Sequence, residues 1–185
     1  MITSEWFTPT RASGLVAYGT AVTCCAIAWV RKKGRHGSSQ LVASLTLIES
    51  ALLVDMAFNL RWMLHALVGD FAQRHHEYEV RRVPQLIALT ILAGLLLLGL
   101  GGISRLFRGR IGALLAVSGV LLALVSWSTE VVSLHAVDHV LYQPLGDLFP
   151  PLGSLMAVTI IWILASLMTS MGILIDSLQA RSDHG

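Results

Sequence analysis

Long apolar runs, broken at intervals by short polar clusters, dominate this chain. Five of them approach the roughly 20 helical residues needed to cross a hydrocarbon core about 30 Å thick: residues 15–30, 41–67, 84–103, 111–142 and 152–178. The first is short for a span and ends at Arg-Lys-Lys-Gly-Arg-His-Gly. The second is long and carries Glu49, Asp55, Asn59 and Arg61 within it. The third opens at Pro84, a favoured first-turn residue, and has no charge before Ser-Arg-Leu-Phe-Arg-Gly-Arg, so it is expected to face lipid. Its Gly94, Gly99, Gly101 and Gly102 are expected to allow close packing at one point. The fourth runs from Ile111 to Tyr142 and turns polar near its end, and the fifth follows Pro150-Pro151, a pair that separates helices. The pattern predicts an all-α integral membrane protein, a bundle of about five transmembrane helices in one polytopic domain over residues 1–185.

Composition agrees. Hydrophobic residues make up 55% of the chain and charged ones 13%, against about 25% charged in a soluble domain. Too few charges remain to coat a water-facing surface, so most of it must meet lipid. The net charge of +2 is modest, and the basic residues sit in loop clusters rather than along one face. That distribution argues against a nucleic-acid partner. The adjacent Cys24 and Cys25 lie in an apolar run and read as small buried hydrophobes. Glu5 precedes Arg11 in a polar N-terminal stretch, which lacks the basic start of a cleaved signal peptide. The first helix is expected to stay in the mature protein.

The two basic clusters after the first and third runs fall on one side, together with Arg181. Excess arginine and lysine marks the cytoplasmic side. The N-terminus is then outside and the C-terminus cytoplasmic, in a cell membrane, a bacterial-type inner membrane being the expected location.

The polar chemistry collects on helices two and four. At about 1.5 Å of rise per residue, Asp55 lies about 21 Å, Arg61 about 30 Å and His65 about 36 Å beyond Leu41. On the fourth run Glu130 lies about 28 Å, His135 about 36 Å and Asp138 about 40 Å beyond Ile111. Matched depth pairs Arg61 with Glu130 and His65 with His135, in the outer half. Glu49 and Asp55 lie deeper with no evident basic partner. Asn59 sits one turn from Asp55, and Trp62 shares that face, as a polar seam toward the bundle interior. His135, Asp138, His139 and Tyr142 follow a spacing of three, four and seven residues that shares one helical face. Two imidazoles and a carboxylate so placed could ligate a divalent metal, with His65 or the His75-His76 pair completing the set. The plainer reading is a polar helix end at the headgroup level, where such residues need no ligand.

These residues lead to an expected function: a metal- or haem-binding site between helices two and four on the outer side, linked to redox chemistry. Copper, iron or zinc, or haem b, is the expected cofactor. Two alternatives stand beside it. One is a non-catalytic subunit of a larger membrane complex, and the other is a proton-coupled transporter using Glu49, Asp55 and Glu130. The expected partners are the lipid bilayer and other membrane subunits or further copies of the chain. No P-loop, GxSxG or c-type haem motif is present.

Overall fold

The computed structural model describes residues 8–32, 38–61, 63–64, 66–67, 70, 82–132, 135–147, 153 and 155–182. Among these, residues 60–61, 63–64 and 66–67 are helical, and the helices with defined bounds are α1 (Pro9–Lys32), α2 (Ser38–Phe58), α3 (Arg82–Leu106), α4 (Ile111–Val132), the short α5 (His135–Leu141) and α6 (Val158–Ser182). All but α5 are long and apolar enough to cross a membrane, so five candidate spans are present. Among the described residues there is no strand, only one isolated antiparallel bridge between Pro144 and Met156.

The helix ends follow local chemistry, and several differ from the hydropathy reading. α1 starts at Pro9 rather than Leu15, because Thr8 caps it. The Arg11 amide donates to Thr8 Oγ1 at 3.2 Å, and Pro9 takes the first-turn position that needs no N–H donor. α2 stops at Phe58 rather than continuing to Leu67. Asn59 has a φ of 60°, the left-handed conformation that ends helices and that asparagine tolerates. The fourth run ends its long helix at Val132, and the separate α5 follows. α6 begins at Val158 rather than Leu152, because residues 155–157 pair with the strap before them: Leu145 donates to the Leu155 carbonyl at 2.7 Å and Ala157 to that of Gln143 at 3.1 Å.

α4 and α6 form the most extensive interface, with α1 packed on both α2 and α6. Small residues let α4 and α6 approach backbone to backbone. Gly112, Ala116, Gly119 and Ala123 on α4 are buried, and a Cβ at Gly119 would lie 2.6 Å from the Ala165 carbonyl oxygen on α6. In lipid, where apolar burial does not draw helices together, such close packing is a main source of association. α3 is the outlier. None of its apolar window is buried, and Leu95, Leu97 and Leu98 are exposed, as a lipid-facing helix requires. The expected glycine packing on α3 is not seen among the described residues: a Cβ added at Gly94, Gly101 or Gly102 would meet no other element within 4 Å, and one at Gly99 would meet Leu121.

Candidate functional site

The polar residues converge at the end of the bundle where α1 and α6 begin and α2 and α4 finish. The break at Asn59 is the cause. On an uninterrupted helix residues 55 and 61 would point to different sides. The turn instead folds Arg61 back onto the end of α2. Its backbone amide donates to Asp55 Oδ1 at 2.8 Å, its Nε to Oδ2 at 2.7 Å, and its Nη2 lies 2.6 Å from Oδ2. Asp55 therefore has a basic partner, contrary to the expectation that it would be unpaired.

The other edge of the guanidinium meets Glu130, with Nη1 donating to Oε2 at 2.7 Å. Depth matching along the sequence pointed to this contact. Glu130 is also held by three uncharged donors. The Tyr142 hydroxyl donates to Oε2 at 2.8 Å, the Trp162 indole to Oε1 at 3.2 Å and Ser126, one turn back on α4, to Oε1 at 3.3 Å. The Arg61 guanidinium carbon also sits 5.5 Å from the centre of the Trp162 ring, within range of a cation–π contact. Arg61 is 4% exposed and Glu130 7%. Burial pulls the Arg61 guanidinium down, and Glu130 and Asp55 more than reverse it, so its pKa lies above the ordinary value. Burial first, and then the Glu130 charge, push the Tyr142 hydroxyl above its usual range. It stays a neutral donor.

Arg11 closes the site from α1. Its Nε and Nη2 donate to the carbonyls of Met56 and Ala57 at 3.2 and 2.8 Å, where the last turn of α2 leaves carbonyls unpaired and partly negative. Thr10 accepts from the Met156 amide at 3.2 Å and so ties the strap before α6 to α1. Between these groups lies a cleft of about 350 Å³, lined by Thr8, Thr10, Arg11, Met56, Asn59, Arg61, Glu130, Tyr142, Met156 and Trp162. Two arginines, Arg11 and Arg61, stand against two carboxylates, Asp55 and Glu130, so the formal charges of these four groups cancel.

The histidines form no such constellation in the described part of the chain. His65, the His75-His76 pair and Trp62 lie outside the described residues, and for His135 only the backbone, in α5, is described. Asp138 is half-buried and His139 exposed. Among the described residues, no group of three or more His, Cys, Asp or Glu side chains is placed to hold a metal ion. Glu49 is elsewhere, fully buried in the middle of α2.

Sequence reasoning missed Arg11, Ser126, Met156 and Trp162 as members of the site. The available signal was slight: an arginine just after a Thr-Pro helix start, in an otherwise apolar span. Comparison with protein-family models, curated proteins and solved structures finds no match.

Proposed function

We propose that this multi-pass membrane protein binds a small uncharged amphiphile in the cleft at the Arg61 end of the bundle, with a quinone-like or phenolic head fitting best. The observation behind this reading is the cancellation of charge. Arg61 is held between Asp55 and Glu130, and Arg11 at the cleft wall supplies the second positive charge, so these four groups offer hydrogen bonds without excess charge among them. An anion or cation entering it would disturb a paired cluster and lose its own hydration. An uncharged ring would instead meet Met56, Met156 and Trp162, side chains suited to aromatic contact. The cleft volume lies at the lower end of the range for small-molecule sites, roughly 300–1,000 Å³. Its place at one end of the spans allows a tail to continue into the bilayer.

A charge series tests this. The detergent-solubilised protein is titrated with a short-chain alkyl benzoquinone and with analogues bearing a carboxylate or a quaternary ammonium in place of one ring substituent. Saturable binding of the neutral compound, at least tenfold tighter than either charged one, is expected. Equal affinities would remove the reading. The redox-linked metal or haem centre proposed for His65, His135, Asp138 and His139 is read on the same preparation. A Soret band or stoichiometric metal that disappears in His135→Ala would move the functional centre there.

We further propose that the cleft faces the outer side and the basic clusters at 31–37 and 105–110 the cytoplasm, from their excess of arginine and lysine. In a background lacking Cys24 and Cys25, an impermeant thiol reagent added outside intact cells is expected to label Gln73→Cys and not Ser38→Cys. The reverse pattern would invert the topology.

A further inference from the structure

Glu49 has no part in the cleft. It lies eleven residues after Ser38 and nine before Phe58 on α2, which at about 1.5 Å per residue places it near the middle of the span. It is 0% exposed. Among the described residues, no protein group hydrogen-bonds to either of its carboxyl oxygens. Thr169 on α6 is the polar side chain within reach of the carboxyl, but that hydroxyl is donated to the Ala165 carbonyl at 3.1 Å.

Among the described residues no cation is paired with it. From α1 it is faced by Tyr18 and Cys25, both neutral side chains that are themselves 0% exposed. The only titratable residue on α4 is Glu130, which is committed to Arg61. On α6 the titratable residues are Asp176, paired with Arg110 at 2.9 Å, and Arg181 near the far end. An ionised carboxylate so placed would lack both hydration and a counter-charge, a costly state at the bilayer centre.

From this burial, isolation and depth we infer that Glu49 is a proton-binding site inside the membrane, carrying its proton as a neutral carboxylic acid when the bundle is closed. Tyr18 marks the side from which the site communicates. Its hydroxyl, without a hydrogen-bond partner among the described residues, lies within electrostatic reach of Glu49 and of Arg61, Asp55 and Glu130. The interior polar groups thus form a series from the cleft to mid-membrane. This inference is independent of the ligand proposed for the cleft.

Infrared difference spectroscopy of the full chain in lipid tests it. At neutral pH the wild type is expected to show the carbonyl stretch of a protonated carboxylic acid. Glu49→Gln, which is isosteric with the neutral acid, should lack that band and keep the wild-type melting temperature. The band should fade as the pH rises, at the same pH in sodium chloride and in choline chloride. An identical spectrum for Glu49→Gln would overturn the inference. So would displacement of the band by sodium at constant pH, because the site would then hold a metal cation rather than a proton. Glu49→Gln should leave benzoquinone affinity unchanged, which keeps this test separate from that of the cleft.

Discussion

Arg61→Met is expected to be the most damaging single substitution in the polar cluster, lowering stability in detergent by about 3–5 kcal/mol. Arg61 supplies the shared cation for Asp55 and Glu130, so its removal leaves two buried carboxylates with no guanidinium between them. Glu130→Gln should cost less, since Arg61 keeps Asp55 and only one edge of the guanidinium loses its counter-charge. The triple variant Asp55→Asn, Arg61→Met, Glu130→Gln removes every charge of the triad. It should recover most of the loss, because replacing a whole buried ion group is often nearly neutral. Thermal melts of the three proteins check the order. Additive losses, with the triple variant the least stable, would show that the charges do not act as one unit.

Gly119→Leu should separate the bundle at its main interface. A Cβ at this position would sit 2.6 Å from both the Ala165 carbonyl oxygen and the Thr169 amide nitrogen. These are backbone atoms of α6 that cannot rotate away as a side chain would. Overpacking a core typically costs about 1–3 kcal/mol, and here α4 and α6 must move apart along their length, so a loss of about 3 kcal/mol or more is expected. Gly101→Leu on α3 is the matched control. Nothing lies within 4 Å of its Cβ position, and the added side chain would meet lipid. Melting and size-exclusion profiles of the two variants should diverge sharply. Equal behaviour would mean that α4 and α6 are not packed as described.

The five spans were legible in the sequence because apolar length is a direct requirement of the hydrocarbon core. The Arg61–Glu130 contact was legible because helical rise converts residue number to depth. Depth arithmetic could not see the helix break at Asn59, since a single left-handed residue leaves hydropathy unchanged. That break brings Asp55 to Arg61 and shapes the cleft. Glycine spacing was misleading for a related reason. The glycine-rich stretch of α3 is conspicuous, yet it faces outward, while the glycines that matter, Gly112, Gly119 and Gly172, are spread over α4 and α6. Which face of an apolar helix meets a neighbour is decided by packing, and a uniformly apolar span carries little trace of it. Arg11 was overlooked because its partners are carbonyls of α2, groups that every residue carries.

The central claim is that a charge-balanced cleft receives an uncharged head. Equilibrium binding of a short-chain alkyl benzoquinone, corrected for uptake by empty micelles, tests it most directly in the wild type, Met156→Lys and Leu98→Ala. Met156 lines the cleft, so a lysine there adds a charge that nothing in the cluster balances, whereas Leu98 lies on the exposed face of α3. Saturable binding in the wild type and Leu98→Ala, with at least a tenfold loss in Met156→Lys, is the result this account predicts. Unsaturable uptake that is the same in all three proteins would contradict it.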